Sequence, residues 1–455
     1  MKKYFWLGPI SIFLFLSQPV FAQSANGRVT HTNIPEVTQQ VEQVMTVNTG
    51  DTTWMLVSTA FVMLMTPGLA LFYGGMVRRK NVLGTIMQSF VAIGVVTIQW
   101  VLFGYSLAFG PDIGHVIGSL KWVGLSGVGM APNPEYAPTI PHEAFMMFQM
   151  MFAIITPALI TGAFAERFKF KTYIVFLLMW ATLVYDPLAH WVWGVGGWMR
   201  NLGALDFAGG LVVHVSSGVS ALVAAMLIGK RRGYGQEPMP PHNLTMTFIG
   251  AALLWFGWFG FNAGSALASG TLATSAFLAT QVAAAAAALS WMTAEWYTRG
   301  KPTALGAASG AVAGLVAITP ASGFVGPMAA LMIGLVGGFV CFMGIRLKGR
   351  FGYDDSLDTV GVHGVGGAWG AIATGLFASV LINPAGANGL FQGNLGLLGA
   401  QMVALAVVIL YAFGITWGIL KLLDKTMGLR VSPEDEMDGL DLAQHGESGY
   451  VFEEL

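Results

Sequence analysis

Two histidines lie inside apolar, glycine-rich segments that are long enough to cross a lipid bilayer. His214 belongs to the run 206–230, and His363 belongs to the run 354–378. A neutral imidazole can donate one hydrogen bond and accept another, and it can relay a proton. Ionisable groups are costly in hydrocarbon, so each ring needs either a partner or a polar path. Both histidines are therefore candidates for a site that handles a small polar molecule or a proton.

The spacing around the histidines indicates close helix packing. Gly210, His214 and Gly218 recur at intervals of four, and Gly367 follows His363 at the same interval. Small residues let a second helix approach the imidazole closely. A single buried histidine is more often a satisfied core residue than part of a site. Because two of them lie on small-residue faces, a shared site and two core residues are equally good interpretations.

Asp206 stands at the beginning of the first of these runs. Asp206 lies three residues before Gly209. Its carboxylate can therefore accept hydrogen bonds from the free N–H groups of a first helical turn. A helix cap is therefore the simplest interpretation. His214 has no such role, because it lies about 12 Å further along a helix, near the driest depth of a bilayer.

The composition is that of a polytopic membrane protein. The chain has 455 residues, of which 55% are hydrophobic and 10% charged, and its mean hydropathy is +0.65. The net charge of −1 disfavours nucleic acid as a partner. Cys341 is the single cysteine, which excludes an intramolecular disulfide. We find no nucleophile–base set or metal cluster, so we predict neither an enzyme nor a bound metal or cofactor.

The chain divides into four parts by pattern. Residues 1–22 have two lysines, then an apolar core, and end in Val20, Phe21 and Ala22, as in a cleavable signal peptide. The polar arm 23–51 follows and need not be ordered. The membrane domain covers 52–423, and an acidic tail covers 424–455. Cleavage of the signal would leave the N-terminus outside.

Eleven apolar runs of spanning length are predicted, at 52–77, 82–109, 142–165, 171–190, 206–229, 244–264, 273–298, 303–320, 326–346, 357–381 and 397–423. Lysine and arginine cluster after the odd-numbered runs, whereas the outer segments of the mature chain hold only Arg28, Lys121 and Arg200. This asymmetry predicts a multi-pass protein of the cytoplasmic (inner) membrane, with its N-terminus outside and its C-terminus in the cytoplasm.

The histidines fall in the fifth and tenth runs. Two sets of five helices must insert in opposite orientations, and such inverted repeats place their sites near the midplane. The predicted fold is therefore an all-α polytopic membrane protein, with eleven transmembrane helices, a five-plus-five inverted repeat and a central pore in each subunit. His214 and His363 would meet in that pore.

The sequence resembles the ammonium transporter family, the Amt/Mep/Rh proteins. The segments that carry the resemblance are DFAGGLVVHVSSGVSALVAAMLIGKR, PGLALFYGGMVRRKNVL, GAFAERFKF, AHWVWG, GWFGFNAGS, GVHGVGG and, in the tail, GLRVSPEDEMDGLD and HGESGY. The likeness extends from about Thr52 to Tyr450. It implies a bacterial Amt-type ammonium transporter that works as a homotrimer, with methylammonium as a possible second substrate.

The resemblance implies an outer recruitment site for ammonium above a gate of two phenyl rings. Phe152, Trp193 and Ser265 would form the recruitment site, and Phe152 and Phe261 would form the gate. Aromatic faces and a hydroxyl suit a cation that has shed its water. Desolvation below the gate favours the neutral form, so ammonia would cross the middle of the pore.

Other residues compete for these roles. Trp191 and Trp198 could replace Trp193, because this chain has one residue more before the following Asp than some relatives, and Phe148 could replace the first gate phenyl. Without the resemblance, the tryptophans would be interpreted as an interfacial belt and Ser265 as a helix-end cap.

The resemblance also implies the inner part of the pore. His214 and His363 would be its twin histidines, and Asp206 and Asp358 would be carboxylates at the starts of the two helices. Two neutral imidazoles can bond to each other and still offer their ring edges to ammonia. Whether a proton crosses as well is left open, so a channel and an electrogenic carrier remain distinct possibilities.

The resemblance further implies that the acidic tail docks on the basic cytoplasmic loops and helps a P-II-type nitrogen signalling protein to bind. Two alternatives to an uptake protein are an ammonium sensor that acts through a cytoplasmic partner and an electroneutral ammonia gas channel. Trp193 and Ser265 disfavour the gas channel. Elsewhere, Glu166 and Arg167 are expected to be a solvated pair, and His190 an interfacial residue with a local hydrogen bond.

Overall fold

The computed structural model describes residues 46–450. The predicted signal peptide, most of the predicted arm and the last five residues of the tail lie outside this part of the chain. The end that the charge distribution predicts to face outward is called the outer end below, and the opposite end is called the tail end.

Helices form most of the described chain, and eleven of them make up the membrane domain. Their bounds are α1 Thr49–Met76, α2 Arg79–Phe109, α3 His142–Phe164, α4 Phe170–Leu202, α5 Gly210–Ile228, α6 Leu244–Gly264, α7 Thr271–Arg299, α8 Ala304–Ile318, α9 Pro327–Phe351, α10 Val360–Phe377 and α11 Leu395–Thr426. Helix α4 is interrupted at 194–197. Two short helices, α12 Pro433–Asp438 and α13 Leu440–His445, form the tail.

The prediction of an all-α membrane fold is confirmed, with one qualification on helix length. Ten of the eleven helices are long and apolar enough to span a bilayer, whereas α8 has only 15 residues. Apolar side chains and glycines on α8 are buried along most of its length. It is therefore enclosed by neighbouring helices and needs less length than a lipid-facing span.

Four helices of the described chain contain a π-helical turn. The turns are Trp100–Gly104 in α2, Ala181–Tyr185 in α4, Gly210–Val215 in α5 and Val360–Gly364 in α10. The turns in α5 and α10 contain the two histidines and open the fifth helix of each half. Because π-turns are rare and recur at functional sites, their matched positions support the inverted repeat.

Packing between the two halves depends on glycine. Helix α1 lies along α6, the first helix of the second half. Helices α5 and α10 meet so closely that a Cβ on Gly218 would lie 2.2 Å from the Gly364 nitrogen. The stripe of small residues around His214 therefore brings two backbones into contact, as small residues do in membrane interfaces.

Short antiparallel strands cover the outer end. Strand β1, Asp112–Ile113, pairs with β2, Ile117–Gly118, and β3, Pro132–Asn133, pairs with β4, Ala137–Pro141. The β1–β2 hairpin packs against the end of α4 through a hydrogen bond of 2.6 Å from the Trp191 indole to the Val116 carbonyl oxygen.

The tail is docked on the loops at the tail end. Glu436 accepts hydrogen bonds from the Arg430 guanidinium and from the Arg232 main-chain N–H, both at 2.7 Å. Asp441 accepts one from the Gly84 N–H at 2.8 Å. The bonds from Arg232, in the loop after α5, and from Gly84, near the start of α2, hold the described part of the tail against the membrane domain.

Glu166 and Arg167 are not a solvated pair. Both side chains are buried. The Arg167 guanidinium donates hydrogen bonds of 2.7–3.1 Å to the Ser356 hydroxyl and to four main-chain carbonyl groups. Glu166 instead accepts from the Arg78 guanidinium. The expectation was wrong because a planar guanidinium can satisfy several carbonyl groups at once where separate loops converge.

We expect Arg167→Ala to lower the free energy of unfolding by about 3 kcal/mol or more, because several buried carbonyl groups would lose their donor. The thermal unfolding midpoint of the detergent-purified protein measures this loss. Arg350→Ala removes an exposed arginine at the tail end of α9 and should leave the unfolding midpoint nearly unchanged. An equal midpoint for the two variants would show that Arg167 does not hold the loops together.

Candidate functional site

A cavity of about 490 Å³ opens at the outer end, and Phe152, Trp193 and Ser265 all line it. The Phe152 and Trp193 rings meet edge to face, with 6.0 Å between centroids. The Trp193 indole donates a hydrogen bond of 2.8 Å to the Asp206 carbonyl oxygen. The Ser265 hydroxyl donates to the Phe261 carbonyl oxygen at 2.8 Å, so its lone pairs remain available to a cation with N–H donors.

The two competing tryptophans lie elsewhere. Trp191 is buried behind the β1–β2 hairpin, and its ring packs against Trp198 with 5.7 Å between centroids. Neither residue lines the outer cavity. The structure therefore places Trp193, alone of the three, beside Phe152 and Ser265.

Two phenyl rings lie between the outer cavity and the histidines: Phe152 lines the cavity, and Phe261 lines the space beside the imidazoles. Phe152 and Phe261 are stacked, with 4.1 Å between centroids and an interplanar angle of 26°. Phe148 packs on the side of Phe152 at 4.9 Å, so it supports the first ring without replacing it. The Phe261 ring also lies 6.1 Å from that of His214. The stacked pair thus separates the outer cavity from the histidines.

The histidines meet below the phenyl pair. Their Nδ1 atoms are 3.2 Å apart, and the ring centroids are 5.3 Å apart. His214 is 1% exposed and His363 is 4% exposed. The helices α5 and α10 position the rings, because each histidine lies in a π-turn beside the glycine contact between the two helices.

This contact determines how the imidazoles share their protons. Two neutral rings that bond through Nδ1 hold one proton between them. One ring then has its proton on Nδ1 and a lone pair on Nε2, while the other carries its proton on Nε2. The pair therefore offers one acceptor and one donor to a small molecule. The Nε2 atom of His214 has no hydrogen-bond partner in the described chain.

The space beside the histidines is small and apolar. It measures about 10 Å³, which is room for about one molecule of the size of water. Its lining is the two imidazoles and apolar side chains, among them Leu69, Ile155 and Val312. The Trp258 ring stacks on His214 with 5.4 Å between centroids. An ion would find no replacement for its hydration here, whereas a neutral molecule would lose much less.

Asp206 holds the start of α5. Its carboxylate accepts four main-chain N–H groups, from Gly209 at 2.8 Å, Gly210 at 2.6 Å, Leu211 at 2.7 Å and Val212 at 3.2 Å. The helix begins only at Gly210, after a positive φ of 112° at Gly209. Asp206 therefore caps the helix at the π-turn that contains His214.

The carboxylate that caps α10 is Asp355, whereas Asp358 stands directly before the helix without capping it. Asp355 accepts the N–H groups of Thr359 at 3.1 Å and Val360 at 2.8 Å. Asp358 has a positive φ of 63° and pairs with Lys348 instead. Burial raises the pKa of Asp355 to about 6, although the charge of Lys348 opposes this rise.

Sequence reasoning did not find two residues of this region, Trp258 and Asp355. Trp258 lies within the segment GWFGFNAGS, three residues before Phe261 and on the same helical face. That spacing could have indicated it. Asp355 is one of three aspartates between 354 and 358, and spacing alone does not show which carboxylate turns toward the helix.

Comparison with known proteins supports one family. The model of the Ammonium Transporter Family matches residues 53–450. An ammonium transporter of Bacillus subtilis is 56% identical over 402 residues, which cover 88% of this chain and 98% of that protein. The ammonium transporter Amt1 of Archaeoglobus fulgidus is 49% identical, with coverage of 88% and 99%.

Solved structures agree with this assignment. The crystal structure of Candida albicans Mep2 is similar with a TM-score of 0.82 and 36% identity, covering 88% of this chain and 90% of Mep2. A structure described as a sensor Amt protein has a TM-score of 0.80 and 30% identity, covering 87% and 98%. The resemblance seen in the sequence motifs is thus confirmed over most of the chain. The chain belongs to the ammonium transporter family.

Proposed function

We propose that this protein takes up ammonium across the cytoplasmic membrane by binding the cation outside, removing its proton and conducting ammonia past the twin histidines. The observation that carries the proposal is the order in which the parts contact one another, from the outer cavity to the histidines. An open cavity with aromatic walls comes first, then the stacked phenyl pair, then two hydrogen-bonded imidazoles beside an apolar space. No covalent chemistry is needed, so the proposed role is transport rather than catalysis.

Recruitment uses the cavity walls. Cation–π contacts contribute about 0.5–2 kcal/mol each, and Phe152 and Trp193 line the same cavity. Ser265 supplies an acceptor for one ammonium N–H. Potassium has no hydrogen to donate, so the hydroxyl favours ammonium over an ion of similar size.

Passage then requires loss of charge. The space below Phe152 and Phe261 offers little to replace hydration, and desolvation favours ammonia over ammonium. Ammonia can donate to the free Nε2 lone pair of one imidazole and accept from the Nε2–H of the other. The linked rings can also pass a proton between their Nδ1 atoms. We propose that the released proton crosses separately, which makes transport electrogenic.

Solid-supported-membrane electrophysiology on the purified protein in liposomes tests this function. Ammonium pulses should evoke a current that grows with protein density, and potassium pulses of equal size should not. Acidification or alkalinisation of the liposome interior without any current would indicate an electroneutral ammonia channel instead. Absence of both signals, together with retained ammonium binding, would favour a sensor.

Ser265→Ala should weaken ammonium binding and reduce selectivity. A hydrogen bond to a charged group is worth about 1.5–3 kcal/mol, so the half-saturating ammonium concentration should rise roughly tenfold. The ratio of ammonium to potassium response should fall at the same time. Ser379→Ala, at a serine outside the cavity lining, is the matched control. A parent-like half-saturation in Ser265→Ala would remove the hydroxyl from the recruitment site.

The assembly and the regulation are also part of the proposal. We propose a homotrimer with one pore in each subunit, seated in the lipid bilayer through the many exposed apolar side chains of the helices. The docked acidic tail and the basic loops would receive a P-II-type nitrogen signalling protein. Co-purification of such a protein with the parent, and its loss after removal of the residues beyond 426, would support this partner.

A sensor role is the second candidate, and the docked tail favours it. The same pore would bind ammonium, and the tail would report occupancy through its contacts with Arg232 in the loop after α5 and with Gly84 near the start of α2. A similar solved structure is described as a sensor Amt protein. Uptake at full rate by a variant that lacks the tail would assign the tail to regulation and the pore to transport.

A further inference from the structure

His190 is a buried histidine whose two ring nitrogens both face acceptors. Its Nδ1 lies 2.9 Å from the Ala108 carbonyl oxygen, and its Nε2 lies 2.9 Å from Oδ1 of Asp112. The His190 side chain is fully buried, whereas that of Asp112 is 20% exposed. The ring was expected to be an interfacial residue with one local bond, and it bridges α2 and the β1–β2 hairpin instead.

The two acceptors around the His190 ring determine where its protons must lie. A carbonyl oxygen only accepts, so the Nδ1 of His190 must carry a proton. A neutral imidazole then has no proton on Nε2, and its lone pair would face the carboxylate. The contact is satisfied only if a second proton lies between Nε2 and Asp112. This pair therefore contains one ionisable proton at the outer surface.

Asp112 supports the charged form of this pair. Partial burial opposes its ionisation, but the hydrogen bonds from His190 and from the His115 main-chain N–H hold the pKa of Asp112 below its usual range. Together with the geometry, this supports a proton shared between Nε2 of His190 and Oδ1 of Asp112.

The pair lies directly under the loop that follows Trp193. A Cβ on Gly194 would lie 2.6 Å from Nδ1 of His190, and one on Gly196 would lie 2.6 Å from Cβ of Asp112. The His190 carbonyl oxygen accepts the Gly194 N–H at 2.9 Å. Trp193 therefore lies directly before the interruption of α4, where the turn before it and the loop after it contact the His190–Asp112 pair.

We propose that the proton shared by His190 and Asp112 positions Trp193, so that external protons set how tightly the outer cavity recruits ammonium. This inference rests on the proposed recruitment function. When the proton is lost at alkaline pH, the Nε2 lone pair and the carboxylate repel each other. The hairpin then loosens from α4, and the indole is held less firmly beside Phe152.

Other titratable or charged groups lie on the elements around His190. They include Tyr105, His115, Tyr136, Tyr185, Asp186, Arg200, Asp206 and His214. Among the described residues, Asp112 is the only one whose charged group lies within hydrogen-bonding distance of the His190 ring. His115 is exposed and contacts the same carboxylate at 3.3 Å. The variant His115→Ala therefore distinguishes any effect of His115 from that of His190.

Asp112→Asn separates a proton effect from a packing effect. The asparagine amide can donate to a neutral Nε2, so the bridge persists without the extra proton. We expect the half-saturating concentration of the parent, expressed as ammonium ion, to rise roughly threefold to tenfold between about pH 6 and about pH 8.5 outside. In Asp112→Asn it should stay near the low-pH value of the parent at every pH.

Three variants complete the test. Asp112→Ala removes the bridge and should raise the half-saturating concentration at every pH. His115→Ala should keep the pH dependence of the parent, and Asp51→Asn, at an outer carboxylate that binds Ser269 instead, should do the same. A pH profile of Asp112→Asn like that of the parent, or a flat profile in the parent, would overturn the proposal.

Nitrogen NMR on histidine-labelled protein tests the pair even if no current is found. The parent should show one buried ring with both nitrogens protonated, and His190→Gln should lose that signal. Asp112→Asn should convert it to the signal of a neutral ring. A neutral His190 in the parent would overturn the inference, whereas absence of ammonium currents with an intact imidazolium signal would count against the transport proposal alone.

Discussion

Asp206→Ala is expected to abolish ammonium transport and to lower the free energy of unfolding by about 3 kcal/mol or more. The carboxylate accepts four buried main-chain N–H groups at the start of α5. Alanine would leave these donors without partners and would release the π-turn that positions His214. Ammonium-evoked current and the thermal unfolding midpoint, measured on the same preparation, report the two effects.

Variants of neighbouring carboxylates make this prediction specific. Asp206→Asn keeps one acceptor oxygen and should give an intermediate loss. Asp355→Ala should resemble Asp206→Ala, because Asp355 caps α10, whereas Asp358→Ala should change transport by only a few fold. Equal losses for Asp355→Ala and Asp358→Ala would mean that the cap of α10 does not depend on Asp355.

Gly218→Ala should be nearly as damaging, although it adds a single methyl group. That carbon would lie 2.2 Å from the Gly364 nitrogen and 2.3 Å from its Cα. Backbone atoms cannot move aside as a flexible side chain can, so α5 and α10 would have to separate. Overpacking typically costs about 1–3 kcal/mol, and the cost here should lie at or above the upper end of that range because the contact is with backbone atoms. The separation would also break the 3.2 Å contact between the histidines.

Gly94→Ala is the matched control for this helix substitution. A Cβ at Gly94 in α2 meets nothing within 4 Å, and alanine has the better helix propensity. Its unfolding midpoint should equal or exceed that of the parent. If Gly218→Ala were as stable and as active as Gly94→Ala, the close contact of α5 with α10 would not be needed for the pore.

The sequence predicted the helices of this pore better than the side-chain contacts between them. Apolar runs and the distribution of charge indicate the helices, because a bilayer demands long apolar segments and basic cytoplasmic loops. The pairing of His214 with His363 followed from their places in two sets of five. These features are regular along the chain, so spacing reveals them.

Irregular backbone explains what spacing could not reveal. Asp358 has a positive φ of 63°, and this turn directs its side chain toward Lys348 while Asp355 reaches the helix. The burial of Arg167 depends on three separate segments that converge on its guanidinium. The double contact of His190 likewise depends on a hairpin that lies far away in sequence. Each of these features is set by tertiary packing.

The decisive measurement compares ammonium currents of the parent with those of His214→Ala, His363→Ala and the double variant, all in liposomes of matched protein density. The twin-histidine mechanism predicts a current in the parent that ammonium evokes and potassium does not. It also predicts that each variant either loses this current or loses the discrimination against potassium. A double variant with the current and selectivity of the parent would contradict passage of ammonia and its proton by way of the histidine pair.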